Sequence, residues 1–128
     1  MKNLSVILIL SIIMFLGGCG SSQLSDKYSE QVLKESTEEI ISYLNNENFE
    51  AIVDRTQENL KNQLTVEVLQ EAWSNFDDIG EYDSISKMVF QEKDNIATVI
   101  ALAKYSNRDI QYTISYNTEM ELVGFYLK

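Results

Sequence analysis

Apolar residues follow three different patterns along this chain. They form an almost unbroken run from residue 4 to residue 16, recur at helical spacings between residues 27 and 79, and alternate with polar residues from residue 82 onward. A helix repeats every 3.6 residues and a strand every two, so the second part predicts helices and the third predicts strands. The pattern therefore divides the chain into an apolar leader, a helical part and a sheet.

The helical part begins with two predicted helices. Asn48 is expected to cap the second and shorter one, which continues through Leu60. It carries Phe49, Ile52 and Val53 inward. The first helix runs from Lys27 to Asn45, and its apolar stripe consists of Val32, Leu33, Ile40, Ile41 and Leu44.

A third helix is predicted after Thr65, its expected N-cap. Leu64 before the cap and Leu69 after it form the pair of a hydrophobic staple. Gly80 is expected to end this segment, since glycine adopts the left-handed conformation without steric cost. The inward stripe of the helix is Val68, Leu69, Ala72, Trp73 and Phe76.

The alternating part predicts four strands. Their links are short and polar, which requires antiparallel hairpins. The second strand is apolar on both faces and is therefore expected to be central, whereas the third buries one face only. The fold class is α+β, with three N-terminal helices packed on a curved four-stranded antiparallel sheet. The strands lie near residues 82–91, 95–106, 109–117 and 119–127, and the buried face of the third carries Ile110, Tyr112, Ile114 and Tyr116.

The leader has the parts of a secretory signal peptide. Lys2 precedes the apolar run, which is too short for a comfortable membrane span, and the small residues Gly17 and Gly18 follow Leu16. The only cysteine, Cys19, comes directly afterwards. This arrangement resembles the lipobox of bacterial lipoproteins, in which the cysteine thiol receives a diacylglyceryl group, with acyl chains such as palmitate, and becomes the mature N-terminus.

The lipobox predicts both domain boundaries and location. Residues 1–18 are the expected signal peptide, residues 19–27 a flexible tether, and residues 28–128 the folded domain. The mature protein is expected on the extracytoplasmic face of the cell membrane, held by its lipid anchor. An ordinary secretory signal with an incidental cysteine and an uncleaved N-terminal helix are the alternatives.

Composition excludes several kinds of chemistry. The chain has no histidine and one cysteine, which excludes Ser-His-Asp and Cys-His nucleophilic sites and the usual zinc sites. All 20 acidic residues but only 9 of the 10 basic residues lie beyond residue 18, a net charge of −11 that opposes nucleic-acid binding. No catalytic residue, metal site or cofactor is predicted. Carboxylate acid/base catalysis and a calcium or magnesium site built from carboxylates remain open.

Parts of the chain resemble a bacterial domain family of unknown function. The resemblance covers about residues 33 to 128, and the family is grouped with the cystatin-like rolls related to nuclear transport factor 2. Its members often occur on secreted proteins and lipoproteins. The resemblance implies a cone-shaped sheet wrapped on a long helix, with no established activity, and the Asp-His pair found in enzymes of this fold has no counterpart here. The segments that carry it are Phe49 to Arg55, Leu60 to Leu64, Leu69 to Trp73, Gly80 and Val123 to Tyr126.

Two groups of side chains are candidate sites. An acidic cluster between the helices and the sheet is a candidate calcium site, because clustered carboxylates can bind this ion. It lacks the spacing of an EF-hand, however, and is expected to be a solvated turn. An aromatic set either lines a pocket or fills the core. The acidic cluster is Asp77, Asp78, Glu81 and Asp83, and the aromatic set is Trp73, Phe76, Tyr105, Tyr112, Tyr116 and Tyr126.

The function predicted from these observations is a non-enzymatic binding or interaction module of a membrane-anchored lipoprotein. Its partner is an unidentified protein or small ligand. One alternative is a cavity enzyme that uses carboxylate chemistry, which requires a buried Asp or Glu with a raised pKa. The other is a structural envelope protein that forms a homodimer through its sheet.

Overall fold

The computed structural model describes residues 24–128, so Cys19, the lipobox residues Leu16 to Gly18 and the predicted signal peptide lie outside the described residues. Within this range, three α-helices precede four β-strands. The α+β class, the number of helices and the order of elements are as predicted. The helices are α1 (Glu30–Asn45), α2 (Phe49–Asp54) and α3 (Val66–Ser74), with one 3₁₀ turn (Glu58–Leu60) before α3; the strands are β1 (Tyr82–Lys93), β2 (Ile96–Tyr105), β3 (Asp109–Tyr116) and β4 (Leu122–Leu127).

Side-chain caps fix the start of two helices. The Ser29 hydroxyl accepts a hydrogen bond from the Val32 amide, so α1 begins at Glu30 rather than at Lys27. The Thr65 hydroxyl accepts one from the Val68 amide at 3.2 Å, which confirms Thr65 as the N-cap of α3. Asn48 occupies the N-cap position of α2 as predicted, but its side chain makes no capping hydrogen bond.

The second helix is shorter than predicted. It ends at Asp54, and only a 3₁₀ turn follows where a continued helix was expected. The cause is a tertiary contact: the Leu122 amide donates to the Arg55 carbonyl at 2.7 Å, and the Gln57 amide donates to the Leu122 carbonyl at 2.9 Å. These bonds form a one-residue parallel bridge between Thr56 and Leu122 and interrupt the helical path.

The sheet is an antiparallel meander in the order β1-β2-β3-β4. The predicted inner position of β2 is therefore confirmed. Val99 lies opposite Ile114 and Ala101 opposite Tyr112, so the buried residues of β2 and β3 share one face. The helices cover this face, and the core lies between the two layers.

Helix α1 lies along the buried face of the sheet. Near its middle, Thr37 shares a hydrogen bond of 2.8 Å with the Tyr116 hydroxyl, and at its end Asn45 accepts one of 2.5 Å from the Tyr105 hydroxyl. Hydroxyl groups of the strands thus fix the direction of the helix. Its fully buried apolar residues are Leu33, Ile40, Ile41 and Leu44.

Two of the predicted helical stripes are wider than the buried faces. Val32 and Val68 are each 46% exposed, and Ala72 is also exposed, so their predicted inward positions are wrong. In α3 only Leu69 is fully buried. This helix packs mainly against α2 rather than over the sheet, and one side of its apolar stripe therefore stays open.

The chain enters the fold at the β1–β2 hairpin. The Ser25 amide and hydroxyl donate to the Glu92 carboxylate, both at 2.8 Å, and Lys27 bonds the Asn95 side chain. Leu24 packs against the core. Residues 24–27, assigned to the tether by sequence, therefore contact the folded domain.

Candidate functional site

The six predicted aromatic residues fall into two groups. Tyr105, Tyr112 and Tyr116 are buried in the core, while Trp73 and Phe76 are half-buried and Tyr126 is 60% exposed. The second group lines a groove. The sequence left open whether the aromatic set fills the core or lines a pocket, and the structure places members of the set in both.

The buried tyrosines form hydrogen-bonded pairs. The Tyr105 hydroxyl donates to Asn45, so its oxygen accepts from the Tyr112 hydroxyl at 2.6 Å. Burial raises the pKa of all three phenols above its usual value, most strongly at Tyr112. These hydroxyls are neutral and satisfied, which suits a structural role in the core.

The groove lies between α3 and β4, and we call it the α3–β4 groove. It encloses about 270 Å³. A smaller depression of about 170 Å³ extends it along β4, because Leu64 and Phe125 line both. The larger part is lined by Leu44, Leu64, Val68, Leu69, Ala72, Trp73, Phe76, Phe125, Tyr126 and Leu127, and the extension also by Thr56, Leu60, Gln63, Leu122, Val123 and Gly124.

Local geometry explains the composition of the groove. On α3, Val68 and Ala72 are four residues apart and present their side chains on one side of the helix. On β4, Phe125 and Leu127 are two residues apart and share one face of the strand. An apolar helix side thus faces an apolar strand, without a third element between them in the described part of the chain.

Aromatic contacts stiffen the two ends of the groove floor. The Trp73 and Phe76 rings stack with centroids 6.0 Å apart, and the Arg108 guanidinium lies 5.4 Å from the centroid of the Phe76 ring. Phe125 meets Tyr112 edge to face at 6.5 Å. Packed aromatic rings therefore form part of the groove floor.

The predicted acidic cluster forms an exposed connector between α3 and β1. Asp78 pairs with Arg108 at 3.4 Å, and Asp83 accepts a hydrogen bond from Ser84 at 2.8 Å. Asp77 and Glu81 line an open depression of about 450 Å³ with several aromatic residues. Across residues 24–128, the structure contains no group of three or more Asp, Glu, Cys or His side chains arranged to hold a metal ion.

The carboxylates of the domain lie outside the core. In the range that the structure describes, every Asp and Glu is exposed except Glu92 and Glu121, which are half-buried. Hydrogen bonds from Ser25 lower the pKa of the Glu92 carboxyl below its usual value. A low pKa keeps this carboxylate ionised, which suits a structural bond and not a general acid.

Sequence reasoning missed half of the groove. Phe125 and Leu127 carry the alternation of a strand, but nothing in that alternation says which helix lies opposite. Val68 has the helical spacing of a core residue, but that spacing does not show whether another element covers it. A pattern assigns a residue to a face, and only the packing of the elements determines whether another element covers that face.

Comparisons with known proteins agree with the fold. A solved NMR structure of a protein from Ruminococcus gnavus ATCC 29149 is similar to this chain, with a TM-score of 0.71 at 24% sequence identity, over 82% of this chain and 96% of that one. No curated protein matches the sequence. No helix of residues 24–128 has the length and apolar character that a membrane span requires. The family model described as protein of unknown function (DUF3887) matches residues 37–125, and the chain belongs to that family.

Proposed function

We propose that this protein is a lipoprotein, anchored by a diacylglyceryl group on Cys19 to the extracytoplasmic face of the cell membrane, and that its α+β domain is a non-enzymatic binding module. The observation that carries the proposal is the position of the only cysteine. Cys19 directly follows Leu16-Gly17-Gly18 at the end of an apolar run. A lone thiol has no disulfide partner within the chain, and lipid acylation accounts for its place.

The path of the chain into the domain supports this arrangement. Cys19 lies five residues before Leu24, which packs against the core. Five residues span at most about 18 Å when fully extended. An anchor at Cys19 therefore keeps the domain close to the lipid surface, with the β1–β2 hairpin nearest to it. Two acyl chains give stable attachment, because each buried CH₂ contributes about 0.8 kcal/mol.

Binding is favoured over catalysis by the chemistry of the described residues. The rival enzyme needs an Asp or Glu buried among aromatic side chains, with its pKa raised by that burial. Instead, the α3–β4 groove is lined by apolar and aromatic side chains without a carboxylate, and no Asp or Glu of residues 24–128 is fully buried. Apolar grooves with aromatic walls suit recognition of another molecule.

We further propose that the domain is a roll of the cystatin-like kind related to nuclear transport factor 2. The support is the layout: helices come first, and the longest of them lies along the buried face of an antiparallel meander. Nothing about activity follows from this likeness, since one such fold carries many functions.

The anchor is tested by replacing Cys19 with Ala in the native host. We expect Cys19→Ala to take up no radiolabelled palmitate and to leave the membrane fraction, either as precursor or as secreted protein. Ser22→Ala, three residues away, is the matched control and should be labelled like the wild type. Equal labelling of Cys19→Ala and wild type would show that the lipid is attached elsewhere or that the signal is not a lipobox.

The binding role is tested by a scan of the carboxylates. Removing a general acid or base costs roughly 10²–10⁴-fold in activity and falls on one residue, whereas binding losses are spread over several. We expect graded effects in a complementation assay of Asp→Asn and Glu→Gln variants, each checked for folding by circular dichroism. A single folded variant with activity reduced a hundredfold or more would make the protein an enzyme.

A further inference from the structure

We infer that the α3–β4 groove binds an extended segment of a partner protein, which adds to the sheet as a fifth strand along the free edge of β4. The segment is apolar at alternate positions and carries basic residues beside them. The inference rests on the proposed binding function, and it adds the site, the mode of recognition and the chemistry of the partner.

Backbone groups on the outer edge of β4 are available for pairing. Gln111 and Lys128 exchange two hydrogen bonds, of 2.8 and 3.0 Å. Bonded and non-bonded pairs alternate along an antiparallel ladder, so the next non-bonded pairs are Tyr112 with Leu127 and Ile114 with Phe125. The amides and carbonyls of Phe125 and Leu127 therefore point away from β3, and within residues 24–128 no backbone group bonds them.

The other end of the same edge already makes a backbone contact. Thr56 pairs with Leu122 in a parallel bridge, through the hydrogen bonds that the Arg55 carbonyl and the Gln57 amide form with Leu122. After Gln57 the chain forms the 3₁₀ turn, and within residues 24–128 it makes no further backbone hydrogen bond to the outer edge of β4. The edge is thus paired at one end and free of backbone bonds along the rest of β4, whose six residues extend over roughly 20 Å.

The apolar side of α3 provides the place for side chains of such a strand. Alternate residues of an added strand point to the same side. On that side they meet Val68 and Ala72 of α3, beyond the edge formed by Phe125 and Leu127. Hydrogen bonds to the edge give general affinity, and the groove selects apolar side chains at every second position.

Charge determines which partner fits. Glu67 and Glu71 are exposed on α3 beside Val68 and Ala72, and the part of the chain beyond residue 18 carries a net charge of −11. A second copy of this chain would bring the same negative charge to the edge, whereas Lys or Arg beside the apolar positions is attracted to it. The favoured occupant is therefore a basic segment of another protein.

The experiment uses the full chain in phosphatidylcholine nanodiscs, whose neutral lipid does not attract basic peptides. Two synthetic peptides share a core of alternating Val and Ser, and one is flanked by Lys and the other by Glu. We expect the Lys-flanked peptide to bind at least about tenfold more tightly and to slow hydrogen exchange at the amides of Phe125 and Leu127. Empty nanodiscs measure peptide binding to lipid.

Two pairs of variants locate the binding. Leu127→Pro lacks the outward amide and Leu127→Ala keeps it, so Pro should weaken binding by about a further tenfold. Val68→Gln, which is polar but adds no charge, should weaken binding of the apolar core by about tenfold or more, whereas Val32→Gln, at a position of equal exposure on α1, should not. Circular dichroism checks the fold of each variant, and if Leu127→Pro fails to fold, the comparison of Val68→Gln with Val32→Gln is the test.

Several results would overturn the inference. These are equal affinity for the Lys-flanked and Glu-flanked peptides, no change in exchange at Phe125 and Leu127, or unchanged binding to Val68→Gln. A concentration-dependent dimer that is lost in Leu127→Pro would assign the edge to a second copy instead. Palmitate labelling of Cys19 is independent of all these measurements, so its success would leave the anchor in place when the groove inference fails.

Discussion

Gly80 occupies a position between α3 and β1 that other residues cannot take without strain. Its φ is +85°, in the region that favours glycine, as predicted, although α3 ends at Ser74 and not near Gly80 as expected from the sequence. A side chain there would also place a Cβ 2.0 Å from the Ser106 hydroxyl. That hydroxyl accepts a hydrogen bond of 2.9 Å from the Glu81 amide, which links the connector to the β2–β3 hairpin.

Replacing Gly80 with Ala should therefore destabilise the domain by more than 1 kcal/mol, since Ala at positive φ costs about 1 kcal/mol before any clash is counted. The measurement is the urea midpoint of unfolding. Gly124→Ala is the control, because its Cβ would lie 3.2 Å from Ser115 without positive φ and should cost less. Equal midpoints for Gly80→Ala and wild type would mean that the connector does not have this conformation.

The buried tyrosines should make stability depend on alkaline pH. Their pKa is raised in the folded chain, so the unfolded chain, with ordinary values near 10, loses its protons first. Stability is thus unaffected by these groups below about pH 10 and falls above it, by up to about 1.4 kcal/mol per pH unit for each tyrosine. Urea unfolding between pH 9 and about 11.5 measures this slope.

A tyrosine variant separates this effect from other alkaline titrations. Tyr112→Phe should make the loss of stability with rising pH less steep, by the contribution of one tyrosine. It removes a buried phenol and leaves the Tyr105 hydroxyl donating to Asn45. Tyr126→Phe removes an exposed phenol and should leave the slope unchanged. The same slope in wild type and Tyr112→Phe would contradict the buried, neutral state of Tyr112.

At the scale of elements, α3 has two sides with different roles. Leu69 is buried against the core, and truncation to Ala should cost about 2–5 kcal/mol of unfolding free energy. Val68, the next residue back, is half exposed in the groove, and Val68→Ala should change stability by about 0.5 kcal/mol or less. Chemical denaturation of both variants is the test, and a large loss at Val68 would place it in the core after all.

Periodicity predicted the elements themselves well. The alternation in β3 identified its buried face, and the apolar character of both faces of β2 placed that strand inside the sheet. Periodicity did not predict which apolar residues are covered by another element. Val32 and Val68 have the helical spacing of core residues, but no neighbouring element buries them, and both are exposed. The stop of α2 was also missed, because it depends on a contact with Leu122, far along the chain.

The candidate site was predictable only in part. Trp73, Phe76 and Tyr126 were identified as candidates from their aromatic character, and they do line the groove. Its backbone component was not predictable, since the free edge of β4 depends on which residues pair with β3. Side-chain types can be taken directly from the sequence. The direction of each backbone hydrogen bond depends on the strand register, which the sequence does not give.

At the scale of the whole molecule, the path of the N-terminal segment predicts an orientation on the membrane. Ser25 and Lys27 bond the β1–β2 hairpin, so the lipid that we propose on Cys19 would keep this hairpin near the surface. The β2–β3 hairpin lies at the far end of β2, ten residues or roughly 30 Å away. The two hairpins should therefore differ in their distance from the bilayer.

Spin labels measure that difference. With Cys19 acylated, Lys93→Cys and Asp109→Cys each introduce the only free thiol, and both side chains are exposed. We expect a nitroxide at residue 93 to be relaxed more strongly by a lipid-bound nickel chelate than one at residue 109. Equal relaxation at both positions would mean that the domain has no fixed orientation, and stronger relaxation at residue 109 would reverse it.

The most direct test of the central claim is mass spectrometry of the N-terminal peptide of the protein purified from host membranes. The account predicts a peptide that begins at Cys19 and carries a diacylglyceryl group on the thiol, with residues 1–18 absent. An unmodified Cys19 within a chain that retains residues 1–18, or a mature chain that begins elsewhere, would contradict the proposal that this domain works at the membrane through a lipid anchor.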